Sequence, residues 1–134
     1  MRGIADTGFL VAFANRGDRH HDWALTVAEQ VTEPLLTCEA VLAEASFHLR
    51  SCQLVLALVR ERLVQVAFDC SDHWPQLESL AARYAARNPD LADLCLIRMS
   101  ELYPRHPVVT VDREDFTVYR RNKREVIPTV LPPR

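Results

Sequence analysis

Apolar residues recur in short runs, each closed by a polar residue, and these runs alternate with longer stretches of helical period. Gly3-Ile4-Ala5 is the first run and fits a buried parallel strand. Asp6-Thr7 closes it, and Phe9, Leu10, Val11, Ala12 and Phe13 follow as a helix. After the turn Asn15-Arg16-Gly17-Asp18, His20 to Gln30 reads as an amphipathic helix with Trp23, Val27 and Val31 at four-residue spacing. Glu33-Pro34 breaks it, and Leu35-Leu36-Thr37 is a second strand. The next helix runs from Cys38 to about Leu49, with Val41, Leu42, Ala45 and His48 on its apolar face. Ser51 caps a further helix from Cys52 to about Arg62, and the alternating Val64-Gln65-Val66-Ala67-Phe68 is a third strand. Ser71 or Asp72 caps a helix carrying Trp74, Leu77, Leu80, Ala81 and Tyr84, with Arg83 and Arg87 towards its far end. Pro107 to Val111 is a fourth strand closed by Asp112, and Asp112 to Phe116 is a loop or a short helix. Val126-Ile127 reads as a short fifth strand, and Val130 to Pro133 as a tail. Strands alternating with helices predict an α/β fold of βαβ units, with a mostly parallel sheet and right-handed crossovers.

One helix departs from the amphipathic pattern. Asn88-Pro89-Asp90-Leu91-Ala92-Asp93 starts it, and Leu94, Cys95, Leu96, Ile97 and Met99 make it too apolar for a surface helix. Asn88 caps it with Pro89 in the first helical position, or Asp90 is the cap. Asp90 and Asp93 are three apart and share a face. By themselves two acids in a first turn need nothing more than capping and a favourable dipole interaction.

The chain has 134 residues, enough for one domain with a proper core. Residues 1–134 are read as that domain, with about 126–134 as a C-terminal strand and tail. A net charge of −2 gives no general attraction for nucleic acid, so such a partner would need a local basic patch or metal ions. Lys123 is the only lysine, and Arg supplies the rest of the positive charge. Cys38, Cys52, Cys70 and Cys95 form no C-x-x-C pair, which predicts reduced thiols in a cytoplasmic protein. The N-terminus lacks the apolar stretch of a signal peptide. The most apolar segment, Leu54 to Val59, is broken by Arg60-Glu61-Arg62, so no membrane span is expected.

Acids punctuate the pattern at suggestive places. Asp6 and Asp112 each end an apolar strand, Asp90 and Asp93 open the buried helix, and Glu44 lies among apolar residues of another. In an open parallel sheet the C-terminal strand ends share one edge, where ligands bind. Carboxylates gathered there repel one another unless a cation sits among them, and no lysine adjoins them. An all-carboxylate set favours Mg²⁺ or Mn²⁺ over zinc, and such an ion lowers the pKa of water and stabilises charge on a phosphate. Each acid also has a plainer reading: Asp6 as an N-cap, Glu44 as a solvent-facing helix residue. His20-His21-Asp22 with Asp18 is read as a solvated helix start rather than a metal site, and His48 as a packed or half-exposed histidine.

Four segments together carry a resemblance: Ile4-Ala5-Asp6-Thr7-Gly8-Phe9-Leu10-Val11-Ala12, Leu36-Thr37-Cys38-Glu39-Ala40-Val41-Leu42-Ala43-Glu44, Asp90-Leu91-Ala92-Asp93-Leu94-Cys95-Leu96, and Val109-Thr110-Val111-Asp112-Arg113-Glu114-Asp115-Phe116. In order and spacing the chain resembles PIN-domain ribonucleases, and among them the VapC-type toxins of bacterial toxin–antitoxin pairs. The resemblance implies a three-layer α/β/α sandwich around a mostly parallel sheet of four to five strands. It also implies an endoribonuclease dependent on Mg²⁺ or Mn²⁺, the toxin component of a type II toxin–antitoxin system. Matched position by position, Asp6, Glu44, Asp93 and Asp112 are the catalytic acids. Asp6 and Asp93 are the foremost metal ligands, and Glu44 and Asp112 bind metal directly or through water. Asp90 and Asp115 support the site, and Thr7, less so Thr110, hydrogen-bonds an acid or a substrate phosphate. Leu94 departs from the family's smaller residue after the third acid, which bears on packing beneath Asp93.

Arg113, Arg120, Arg121, Lys123 and Arg124 are the candidates for holding an RNA backbone, against the alternative of a solvated basic surface. The resemblance further implies a small antitoxin protein covering the acidic pocket, and a homodimer. A catalytically silent PIN-like binding or scaffold module is the alternative reading, which the intact acids oppose. A haloacid-dehalogenase-type enzyme also ends its first strand in Asp, but Asp6-Thr7-Gly8 lacks its second Asp, and no lysine lies near the other acids.

Overall fold

Five short strands form one fully parallel sheet in the computed structural model, which describes residues 1–134. The strands are β1 (Ile4–Ala5), β2 (Leu35–Thr37), β3 (Val64–Val66), β4 (Val108–Val109) and, last in the sequence, Thr129–Val130. Between β4 and that last strand an antiparallel hairpin, β5 (Arg120–Arg121) and β6 (Glu125–Val126), stands apart from the sheet, so the last strand is β7. The spatial order is β3-β2-β1-β4-β7, with Ile4 paired to both Leu36 and Val108 and Val108 to Thr129.

The helices follow the predicted alternation: α1 (Thr7–Ala14), α2 (His21–Gln30), α3 (Glu39–Leu49), α4 (Cys52–Arg60), α5 (Trp74–Arg83), α6 (Leu91–Leu102) and α7 (Arg113–Val118). The chain steps from β1 to β2 to β3 in one direction, then crosses back to β4 on the far side of β1. Right-handed crossovers therefore place α1–α4 on one face and α5–α7 on the other, a three-layer α/β/α arrangement. The reversal of direction falls between β1 and β4, and in such sheets the crevice beyond those strand ends is the ligand-binding place.

The core explains why α6 is apolar all round. Leu94, Cys95, Leu96, Ile97 and Met99 are all buried, packed with Ile4, Ala5 and Val108 of the central strands. The bulkier Leu94 is accommodated at 7% exposure, directly after Asp93. Cys38, Cys52, Cys70 and Cys95 are free thiols, and folding brings the sulfurs of Cys70 and Cys95 to 3.5 Å. No helix is long and apolar enough to cross a membrane.

Three local expectations change. The cap of α6 is Asp90, whose Oδ1 accepts the backbone N–H of Asp93 at 2.8 Å. Asn88 instead ends the preceding 3-10 turn at φ 47°, a left-handed conformation that asparagine tolerates, and Pro89 lies before the cap rather than after it. Neither Ser71 nor Asp72 caps α5: Asp69 caps a 3-10 turn over Cys70–Asp72, and α5 starts after His73 without a side-chain cap. The fifth sheet strand is Thr129–Val130, not Val126-Ile127. Val126 belongs to the hairpin, whose turn is made by Asn122 and Lys123 at φ 49° and 72°, and only after that detour does the chain rejoin the sheet. The segment read as a tail from Val130 therefore begins inside the sheet.

Candidate functional site

The ends of β1 and β4 are tied together by a relay of hydrogen bonds. Asp6 follows β1 and caps α1, its Oδ1 accepting the N–H of Thr7 at 2.6 Å. Its Oδ2 accepts the hydroxyl of Thr110 at 2.6 Å, and the Thr110 oxygen in turn accepts the N–H of Asp112 at 2.9 Å. Asp112 caps α7 by accepting the N–H of Asp115 at 3.0 Å. The apolar-strand-then-acid pattern thus places both carboxylates where two helices start, one from each side of the topological switch. Gly8 makes the approach possible: a Cβ there would stand 2.4 Å from Cγ2 of Val111.

Asp6, Glu44, Asp90, Asp93, Asp112 and Asp115 all line one open cavity of about 650 Å³ at this edge. Glu44 is half-buried and faces the same space as Asp90. One oxygen of Asp93 accepts the hydroxyl of Tyr119 at 3.0 Å. Tyr119 is buried and held edge-on by Tyr84 and Phe116, at ring-centroid distances of 5.1 and 5.5 Å. That contact was invisible in the sequence, where Tyr119 was merely the aromatic beside a run of basic residues.

The electrostatics are those of crowded acids. Burial pushes the Asp6 carboxyl from 3.8 up to about 6, against the hydrogen bonds from Thr110 and Thr7, which favour its ionised form. Burial, with Asp90 close by, pushes Glu44 up to about 7. Burial, then the charges of Asp90 and Asp6, pushes Asp93 up to about 7, against the Tyr119 hydrogen bond. Asp112 is also raised, chiefly by burial. Asp115 is the exception: the guanidinium of Arg87, 2.7 Å away, holds its carboxyl below the usual range.

A family model of the PIN domain matches residues 4–122. The chain belongs to the PIN domain family. Proteins of that family are generally nucleases that use divalent metals. Among solved structures, the crystal structure of Mycobacterium tuberculosis VapC20, a Sarcin-Ricin loop cleaving toxin, is similar with a TM-score of 0.65. The match covers 78% of this chain and 84% of that one at 20% sequence identity, a likeness of fold. No curated protein sequence matches the chain.

This PIN domain offers a donor set that fits a hard divalent cation. The nearest candidates are carboxylates raised towards neutrality, so a cation would take the place of protons they otherwise hold. Thr7 supplies a second sign. Its Oγ1 is buried without a hydrogen-bond partner, and Thr7 lines the acid cavity. No three His, Cys, Asp or Glu side chains are gathered tightly enough to hold an ion by themselves. The two threonines have exchanged expected roles. Thr110, the weaker candidate, bonds Asp6, and the Thr7 hydroxyl lies beside Glu44, whose ionised form it favours.

The basic candidates fare differently. Arg121 is 6% exposed, pairs with Glu125 at 2.6 Å, and donates to the carbonyls of Ser100 at 3.1 Å and Pro104 at 3.0 Å. It ties the hairpin to the end of α6 and is not an RNA contact. Arg120 donates to the carbonyls of Thr117 and Tyr119 at the end of α7, and Arg113 to the carbonyl of Pro132 at 2.7 Å. Lys123 and Arg124 are exposed on the hairpin but do not line the acid cavity. Three groups that do line it are Arg19, His20 and His48. Their only sequence signal was position: His20 heads a helix, and His48 stands four residues past Glu44 and so shares its helix face.

Proposed function

We propose that the protein is a metal-dependent endoribonuclease that hydrolyses RNA phosphodiester bonds, acting as the toxin of a type II toxin–antitoxin pair. The observation that carries this reading is the convergence of Asp6, Glu44, Asp93 and Asp112 on one cavity, where burial and mutual repulsion favour a bound cation. Asp6 and Asp93 would hold Mg²⁺ or Mn²⁺, with Glu44 and Asp112 beside them directly or through water. When bound, such an ion supplies Lewis acidity and activates water for attack on phosphorus.

The chain's own residues account for the rest. Thr110 and the N–H of Thr7 fix both oxygens of Asp6, which lines the cavity. Tyr119 fixes one oxygen of Asp93 and leaves the other for the site. Glu44, facing the cavity from α3, would position an attacking water and accept its proton. Arg87 holds Asp115 out of the donor set.

The partners follow from the same reading: an RNA substrate, a small antitoxin protein that covers the acid cavity, a second copy of the chain in a homodimer, and a cytoplasmic setting. Cleavage of RNA in the presence of Mn²⁺ tests the activity. The wild type is expected to cut, and Asp6→Asn and Asp93→Asn to cut at least about 10²-fold more slowly, the scale of a lost electrostatic or acid–base contribution. Equal rates for all three would refute the assignment.

A further inference from the structure

The acids can face a phosphate only through a cation held among them, so the neighbouring phosphates of a bound strand fall to other groups. The basic residues of the C-terminal segment do not supply them. Arg113, Arg120 and Arg121 spend their N–H groups on backbone carbonyls and Glu125, and Arg87 is paired with Asp115 and Glu114. Lys123 and Arg124 do not line the cavity.

Resting on the endoribonuclease reading, we propose that Arg19, His20 and His48 form the seat for a backbone phosphate next to the bond being cut. All three line the same cavity as the acids. They come from the α1–α2 connection and from α3, whereas Asp90, Asp93, Asp112 and Asp115 come from the starts of α6 and α7 on the other side of the sheet. Arg19 is exposed and pairs with no carboxylate. Its neighbour Asp18 also lines the cavity, with its Oδ1 accepting the backbone N–H of His20 at 2.8 Å and no ion pair to Arg19. The His20 ring stands edge-on to Trp23 at 6.4 Å, and the His48 ring edge-on to Phe47 at 5.6 Å. An imidazole N–H donates to a phosphate oxygen in either protonation state.

Thr7, at the start of α1, lines the same cavity. A strand running along α3 would pass from Glu44 to His48 in one helical turn, with one phosphate over the acids and the next on the basic wall. The seat reads backbone, not bases, so it serves any single-stranded RNA.

The test is binding of a fluorescein-labelled single-stranded RNA oligonucleotide, by anisotropy, to Asp93→Asn protein in Mn²⁺ across a series of KCl concentrations. In that background Arg19→Gln is expected to weaken binding about tenfold, the scale of a charge-assisted contact, and to lower the salt slope by about 0.7, one phosphate's share on a single strand. The double variant His20→Gln/His48→Gln weakens binding to a similar degree. Lys123→Gln/Arg124→Gln leaves both affinity and slope unchanged, and Arg19→Lys keeps the slope. Thermal melts report whether each variant is folded; all these side chains are at least partly exposed. Unchanged affinity and slope in Arg19→Gln and the histidine pair would overturn the proposal, as would failure of the parent protein to bind RNA. Cleavage by the otherwise wild-type chain is scored separately. RNA binding that depends on Arg19 without any cleavage would refute the nuclease reading and leave the phosphate seat standing.

Discussion

Replacing Asp6 by Asn should make the metal-free protein more stable, although it should abolish activity. Asp6 is 7% exposed, and its carboxyl titrates at about 6 rather than 3.8. A carboxyl whose pKa is raised by folding favours the folded state below the unfolded value of 3.8, and that advantage is lost as pH rises through about 6. The gap of roughly two units corresponds to about 3 kcal/mol of destabilisation near pH 7.5. Asn removes the charge and keeps one acceptor for the N–H of Thr7, but it weakens the hydrogen bond from Thr110, at a cost of about 1 kcal/mol. The net gain is about 2 kcal/mol, or a melting temperature about 7 °C higher for a chain of this size.

Circular-dichroism melts in EDTA measure it. Asp6→Asn should melt above wild type near pH 7.5, and the difference should shrink towards zero near pH 4.5, where folded Asp6 is mostly protonated (about 1 kcal/mol of penalty against about 1 of lost hydrogen bond). Adding Mn²⁺ should raise wild type and barely move the variant. A variant that melts at or below wild type near pH 7.5, or a difference that ignores pH, would refute the claim that this carboxylate is held against its own preference for a cation.

Other expectations follow from single contacts. Tyr119→Phe should weaken Mn²⁺ binding several-fold by calorimetry, whereas Tyr84→Phe, which loses a hydroxyl from the same aromatic cluster without touching Asp93, should not. Equal losses in both would reduce Tyr119 to packing. Gly8→Ala places a methyl 2.4 Å from Val111 and should cost about 1–3 kcal/mol in urea titrations, with Val111→Ala restoring most of it. Arg121→Gln should destabilise the fold by about 3 kcal/mol through the stranded acceptors of Ser100, Pro104 and Glu125. A pure loss of RNA affinity with an unchanged melt would restore the surface role that the fold denies it.

The sequence by itself determined the parts that depend on near neighbours. Short apolar runs closed by acids specify buried parallel strands with carboxylates at their ends, because strand and helix periods are local properties of the backbone. A parallel sheet brings those ends to one edge whatever the details of the loops, which makes Asp6 and Asp112 candidates from the pattern alone, and the family resemblance adds Glu44 and Asp93. The tertiary structure decided where side chains point when the sequence offers two equal options. Arg121 and Lys123 look alike in a basic run, yet a hairpin turn at positive φ buries one against the end of α6 and exposes the other. Tyr119 reaches Asp93 across 26 residues, and Arg87 reaches Asp115 across 28, through packing between helices that no local pattern encodes. The hydroxyl of Thr110 joins the N–H of Thr7 in holding Asp6 because the β1–β4 register places it within reach, and register is fixed by the whole sheet. The same long-range geometry brings His20, read as part of a solvated helix start, and His48, read as packed or half-exposed, to the lining of the acid cavity.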